Sequence, residues 1–197
     1  MKFFGWRMVF TGLTLEFTVV GFIFYSFPVI WPYLISELGM TESQLGMVSA
    51  FYFIPVGILA IVVGRALDKY SVKNFMMIGA IIYAIGLFSL SFINSYWSLL
   101  TIYLTILALG SIMMGNLAVA KLISNWFDKN AGRALGIAAI GISFSGVLLP
   151  LIVDPLLDLV GWRNVYVIFA SIVFFIILPL IFFTVIDDPK IVNQVKD

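Results

Sequence analysis

The sequence contains five stretches without a charged residue, and this pattern restricts the fold more than any other feature. The stretches cover residues 17–36, 43–64, 74–120, 134–153 and 164–186. A helix needs about 20 consecutive apolar residues to cross the hydrocarbon core of a bilayer. The third stretch is long enough for two helices, and Asn94-Ser95-Tyr96-Trp97 marks a polar turn inside it. The pattern predicts one domain over residues 1–197 with six transmembrane helices, near residues 8–35, 45–67, 74–93, 98–124, 133–153 and 164–186.

The composition supports a membrane protein and excludes several other classes. Hydrophobic residues make up 62% of the chain and charged residues 11%, whereas an ordinary soluble domain has about 25% charged residues. The absence of cysteine and histidine excludes disulfides, Ser-His or Cys-His catalysis and nearly every transition-metal site. A net charge of +1 gives no support to a nucleic-acid partner. We expect an all-α protein in the lipid bilayer, with no enzymatic activity, cofactor or metal.

The distribution of charges between the loops predicts the orientation. When the loops alternate between the two sides, every lysine and arginine except Arg163 falls on the side of the termini. The other side carries the acids Glu37, Glu42, Asp154 and Asp158. Cytoplasmic loops are enriched in lysine and arginine, so we expect a multi-pass protein of the cell (inner) membrane with both termini in the cytoplasm.

A short charged hairpin joins the second and third predicted helices. One interpretation is a tight cytoplasmic turn, which its charges fit. The alternative is a functional contact, because Gly64 and Asp68 are four residues apart and share one helix face, on which the acid can meet a neighbouring helix. Gly64, Asp68, Lys69 and Lys73 resemble the major facilitator superfamily signature Gly-x-x-x-Asp-Arg/Lys-x-Gly-x-Arg/Lys, with Ser71 in place of the second glycine. The resemblance implies one six-helix half, built from two inverted three-helix repeats, of a twelve-helix fold. It also implies a gating role for this hairpin.

Further segments resemble the monocarboxylate-porter-like branch of that superfamily, in its bacterial type. They are residues 125–136, Gly161-Trp162-Arg163, Gly5-Trp6-Arg7 and Tyr25-Ser26-Phe27-Pro28. The resemblance implies a secondary transporter, a symporter or antiporter, for a small organic solute such as a carboxylate or another organic anion. Transport would occur by alternating access and would be coupled to an ion gradient. Val29 stands where animal monocarboxylate carriers have a lysine, so the resemblance does not extend to monocarboxylate specificity.

The fifth predicted helix carries small residues three and four positions apart on one face. They are Gly132, Gly136, Ala139, Ser143, Gly146 and Pro150. Such a stripe lets a neighbouring helix approach closely. The neighbour is either a helix of the same bundle or another half of the transporter, and the resemblance favours the second.

Polar residues inside the predicted helices suggest a substrate path. The hydroxyls of Thr14, Thr18 and Tyr25 lie along one face of the first helix, close to Val29. They line a hydrated path, or the threonines bond to their own backbone.

Asn116 is expected to point inward, because its amide needs partners that lipid does not offer. Lys121 is expected to snorkel to the membrane surface or to pair with Asp68.

Glu16 is the only acid well inside a predicted helix, which makes it a functional candidate by default. One role is proton coupling, and the alternative is a protonated acid that is hydrogen-bonded within the bundle. Glu16 lies about 160° around the helix from Thr14 and Thr18, so both faces cannot line the same path.

A six-helix half supplies only one wall of a substrate cavity. The expected partners are therefore the lipid bilayer, a small organic solute and a second six-helix half. That half is a separate chain, a missing C-terminal half or a second copy, and the sequence favours the first two. The alternative function is a non-transporting membrane scaffold or assembly subunit that keeps a transporter-like bundle.

Overall fold

The computed structural model describes residues 3–197, and over these residues the chain is helical without strands. Lys2, one of the cations assigned above to the terminal side, lies outside the described residues. The apolar stretches form long helices: α1 (Gly5–Leu38), α2 (Glu42–Leu67), α3 (Val72–Leu90), α4 (Tyr96–Trp126) and a helical stretch over Ala131–Thr184. Each is long and apolar enough to cross a membrane.

Gly161 divides the last stretch into two helices without a loop. Its backbone has φ 75° and ψ 158°, a region that only glycine adopts at low cost. We call the two parts α5 (131–160) and α6 (162–184). The helix α5 continues beyond the predicted end at Val153, because Pro155 and the nearby acids are accommodated in its last turns.

Three of the helices contain one π-helical turn each. These turns lie at Gly21–Tyr25 in α1, Tyr103–Leu107 in α4 and Val173–Ile177 in α6. In addition, α4 leaves helical geometry at Gly115, with φ −93° and ψ −141°, and a new helical segment begins at Asn116. The bend reorients the second part of α4 relative to the first.

Two very close helix crossings hold the bundle together. A Cβ atom on Gly141 of α5 would lie 2.1 Å from the backbone oxygen of Leu13 in α1. A Cβ atom on Gly110 of α4 would lie 2.6 Å from the backbone nitrogen of Tyr83 in α3. Both distances are too short for a side chain, so α1 contacts α5, and α3 contacts α4, backbone to backbone.

The end of the bundle that carries both termini is called the terminal end. Here Arg7 donates to the carbonyl oxygen of Phe183 at 2.7 Å, and the indole of Trp126 donates to that of Ile186 at 2.7 Å. The backbone N–H of Lys73 donates to Asp187 at 2.7 Å. The end of α6 and the segment that follows it are thereby bonded to α1, α3 and α4.

The opposite end, with the α1–α2, α3–α4 and α5–α6 connections, is called the distal end. The indole of Trp162 donates to Glu37 at 2.8 Å, and the hydroxyl of Tyr33 donates to Asp158 at 3.0 Å. These bonds join the end of α1 to the junction of α5 and α6.

Candidate functional site

Glu16 lies in the interior of the bundle, on the side of α1 that faces α4. Its side chain is 2% exposed. Glu16 Oε2 has no hydrogen-bond partner among residues 3–197. Asn116 of α4 lies beside the carboxyl and is exposed. The break at Gly115 makes Asn116 the first residue of the second part of α4. The bend in α4 therefore brings an amide from one helix to the carboxyl of another.

A cavity of about 380 Å³ opens beside this pair. Its walls are formed by α1, α4 and α5, and it is lined by Glu16, Asn116, Val119, Ala120, Leu135, Gly136, Ala138 and Ala139. The small side chains of α5 do not fill the space. Among the described residues, the only polar side chains in the lining are those of Glu16 and Asn116. The volume is sufficient for several water molecules.

A second cavity of about 440 Å³ lies nearer the terminal end. It is lined by Gly64, Leu67, Asp68, Leu117, Ala120, Lys121, Ser124 and Leu135. Ala120 and Leu135 border both cavities. The two spaces are therefore neighbours, one beside the interior carboxyl and the other beside the charged residues of the α2–α3 hairpin.

Lys121 and Asp68 form an ion pair in this second cavity. The distance between Nζ and Oδ1 is 2.5 Å, and the side chains are 32% and 69% exposed. The structure confirms the pairing that was one of the two expectations for Lys121. An ion pair this exposed is worth at most about 1 kcal/mol, so it can open and close at little cost.

The other residues of the hairpin motif have separate positions. Gly64 lines the second cavity, and Lys69 is exposed at the terminal end. The ammonium of Lys73 lies 4.9 Å from the centre of the Phe182 ring. Ser71, which replaces the usual second glycine, accepts a hydrogen bond from the backbone N–H of Asn74 and caps α3.

The remaining candidates for the substrate path do not line the two cavities. Thr14 donates to the carbonyl of Phe10 at 3.0 Å, and Thr18 donates to that of Thr14 at 2.8 Å. Tyr25 packs against Gly146 of α5, and Val29 packs against the core. Of the substrate-path candidates, only Asn116 borders the cavity, and it does so together with Glu16.

The stripe of small residues on α5 lies mostly outside the bundle. Gly132, Gly136, Ala139 and Ser143 are exposed, whereas Gly146 and Pro150 are half-buried. The contact with α1 is made instead by a neighbouring face that includes Ala138, Gly141 and Ser145. Ala138 lines the cavity but was not among the residues predicted from the sequence, although its spacing from Gly141 and Ser145 marks a second small face.

Comparison with known proteins agrees with this architecture. A sequence profile described as Major Facilitator Superfamily matches residues 13–196. The chain is 25% identical over 160 residues to "MFS-type transporter pynF" of Aspergillus niger, a match that covers 80% of this chain and 36% of that protein. It is 28% identical over 165 residues to a "Probable hexose phosphate transport protein" of Chlamydia trachomatis, covering 81% of this chain and 35% of that protein. The chain thus spans about a third of the length of these relatives.

A solved structure shares the fold. The inward-facing, occupied structure of a bacterial homolog of the human lysosomal transporter Spinster superposes with a TM-score of 0.72 at 18% identity, over 94% of this chain and 44% of that one. The superfamily predicted from the α2–α3 hairpin is confirmed, and its members are transporters rather than enzymes. This chain belongs to the Major Facilitator Superfamily and has the fold of one half of such a transporter.

Proposed function

We propose that this chain is one half of a secondary transporter that moves a small organic anion across the cell membrane by alternating access. The single observation that carries the proposal is the cavity in front of Glu16 and Asn116. It presents a buried carboxyl to a space of about 380 Å³ bounded by α1, α4 and α5. In transporters built from two halves, the solute is held near the bilayer midplane between them.

Glu16 is the proposed site of proton coupling. A carboxyl in a membrane interior is costly to keep charged, and it marks a proton or ion pathway by default. One of its oxygens has no partner among the described residues, so it is free to hold a proton or to meet the solute. Asn116 serves in either protonation state, because an amide can both donate and accept hydrogen bonds.

The substrate class follows from two similarities. The resemblance to the monocarboxylate-porter-like branch suggests a carboxylate, and the Chlamydia trachomatis relative is named for hexose phosphate. Both are organic anions. The lining of the Glu16 cavity contains no cation among the described residues, so the positive charge that binds the anion is supplied by the second half.

The second half is proposed to cover the exposed small residues of α5. A Cβ atom on Gly132 or Gly136 would meet no other atom within 4 Å, so this face is open to close approach. The covering bundle is a separate chain or a C-terminal half in preference to a second copy. The Asp68–Lys121 pair at the rim of the second cavity is the proposed latch between access states.

The orientation is proposed from charge. Every lysine and arginine of the described residues except Arg163 lies toward the terminal end, and the positive-inside rule assigns this end to the cytoplasmic side. The proposed location is the cell (inner) membrane.

Uptake by reconstituted vesicles tests the proposal. The chain is reconstituted alone and together with a six-helix second half encoded next to it, and uptake of radiolabelled lactate and glucose 6-phosphate is measured with and without an inward proton gradient. We expect uptake only when both halves are present, and faster uptake with the gradient. A stable complex of the two halves that takes up neither solute would instead support the scaffold alternative.

A further inference from the structure

A third polar cavity lies at the distal end and is lined by neither α1 nor α5. It has a volume of about 400 Å³, between the end of α3 and the start of α6. Its lining is Ser91, Phe92, Asn94, Arg163, Asn164 and Val167. No acid belongs to this lining among the described residues, so the cavity carries a net positive charge.

Arg163 has donor capacity that its neighbours do not use. Its guanidinium stacks on the Trp162 ring at 4.1 Å, which fixes the plane of the group. Its contacts to the carbonyl oxygen of Ile93 and to Asn94 Oδ1 are long, at 3.5 and 3.4 Å. A guanidinium presents five N–H donors in a planar fork that matches the oxygens of a phosphate. The guanidinium of Arg163 is therefore positioned to donate hydrogen bonds to a bound anion.

An apolar groove of about 300 Å³ lies between the same two helices, one helical turn further from the distal end. It is lined by Ile81, Ala84, Ile85, Phe88, Ala170, Ser171, Phe174 and Phe175. Phe88 lies one turn from Ser91 on α3, and Ala170 lies one turn from Val167 on α6. The floor is formed by the buried Ala84 and Ala170, whereas Phe88 and Phe174 are about half exposed at the rim.

The dimensions of the cavity and groove together match one leaflet of a bilayer. Eleven residues of helix separate Arg163 from Phe174, which corresponds to roughly 16 Å. Half of the hydrocarbon core is about 15 Å thick. Trp97 at the distal end is 71% exposed, as is typical of aromatic residues at the membrane surface. Arg163 therefore lies at the level of lipid headgroups, and the groove runs to the middle of the bilayer.

We propose that this site binds a phospholipid of the leaflet at the distal end. The phosphate accepts hydrogen bonds from Arg163, and Asn94 and Asn164 contact the polar headgroup. One acyl chain lies in the groove between α3 and α6. These helices belong to different three-helix repeats, so the lipid bridges the two repeats on their outer side. The proposal requires only that the bundle lies in a membrane, and it does not depend on the transported solute.

Lipid retention by the purified chain tests the proposal. The fraction of protein with one lipid bound is measured by native mass spectrometry with dioleoylphosphatidylglycerol, and with dioleoylglycerol, which lacks the phosphate. We expect Arg163→Gln to weaken binding of the phospholipid about tenfold, the effect of losing one charge-assisted contact, and to leave dioleoylglycerol unaffected. Ser171→Trp fills the groove and should weaken binding of both lipids.

Two matched variants serve as controls. Lys129→Gln removes an exposed cation at the terminal end, and Ile176→Trp places a tryptophan on α6 outside the groove. Neither should change retention. Equal losses in Arg163→Gln and Lys129→Gln would show a nonspecific charge effect and overturn the proposal.

Photo-crosslinking on the unmodified chain gives a test that does not depend on the folding of any variant. Phosphatidylglycerol with a diazirine on one acyl chain should label peptides that contain Phe88 and Phe174. Excess inorganic phosphate should not reduce the labelling, because the acyl chain supplies much of the contact. Labelling spread evenly around the bundle, or abolished by phosphate, would overturn the assignment.

Discussion

Glu16 differs from the threonines of the same helix in how its polar group is satisfied. Thr14 and Thr18 bond to carbonyl oxygens one turn back in α1, so they need no partner outside the helix. The carboxyl of Glu16 borders the cavity together with Asn116 of α4, and its Oε2 has no partner among the described residues. Glu16, unlike the threonines, therefore has bonding capacity that its own helix does not use.

Replacement of Glu16 by glutamine tests its proposed role. The change keeps the size of the side chain and its position beside Asn116 but removes the proton that the carboxyl can carry. We expect uptake with a proton gradient to fall to the level measured without one, while exchange of solute across the vesicle membrane continues. The control is Glu42→Gln, the same change at an exposed residue at the start of α2. Unchanged pH dependence in Glu16→Gln would leave Glu16 with a structural role only.

At the scale of helices, the contact between α1 and α5 depends on one missing side chain. The Cβ atom of Gly141→Ala would lie 2.1 Å from the backbone oxygen of Leu13, and the backbone cannot move aside cheaply. We expect a loss of about 1–3 kcal/mol in stability, measured as a lower thermal unfolding midpoint in detergent. Gly57→Ala on α2 is the control, because its Cβ atom would meet nothing within 4 Å. A similar midpoint for both variants would contradict the close crossing.

The junction of α5 and α6 depends on the backbone of Gly161. Gly161→Asn should lower stability by about 1–3 kcal/mol, because residues other than glycine avoid its combination of φ and ψ. The matched control is Gly39→Asn, at φ 65° and ψ 24°, a left-handed conformation that asparagine tolerates. Neither position has a neighbour within 4 Å of a Cβ atom, so a difference in unfolding midpoint reports backbone strain alone. Equal midpoints would contradict the break at Gly161.

The approximate positions of the helices could be predicted from the sequence, since an uncharged stretch of this length has few other stable arrangements in lipid. The residues at which the helices end could not be predicted. The acids Glu37 and Asp158 were interpreted as loop residues, but they bond to Trp162 and Tyr33 and lie on helices that run past the apolar stretches. The π-helical turns also escaped prediction, because they have no local signature in this sequence.

The candidate site could be predicted only in part. Glu16 and Asn116 stood out because each is a polar residue in an apolar helix. Their contact depends on the bend at Gly115, which sequence periodicity does not reveal. The orientation of the small face of α5 was likewise open, since both it and the face with Gly141 have helical spacing.

Some faces of the bundle are covered by its own helices, whereas others leave apolar residues and cavities exposed. Most of α2 is exposed, including Ile54, Ile58 and Ile61. The two neighbouring cavities lie where α4 and α5 face outward beside α2. A bundle of this shape presents one surface to lipid and another to the proposed second half.

Single-cysteine labelling tests the orientation of the whole molecule. The chain has no cysteine, so each introduced thiol reports alone. We expect a membrane-impermeant maleimide to label Glu42→Cys in intact cells and Lys129→Cys only after permeabilisation, because the two residues are exposed at opposite ends. The reverse pattern would contradict the proposed cytoplasmic location of the termini.

The crossing at Gly141 also determines where motion can be observed. The backbones of α1 and α5 touch at Gly141, so a change in their separation would break this contact, and we expect the two helices to move as one body. Spin labels or fluorophores placed on this pair should report a constant separation during a transport cycle. Probes that monitor opening and closing belong on α2 and on whatever bundle faces it.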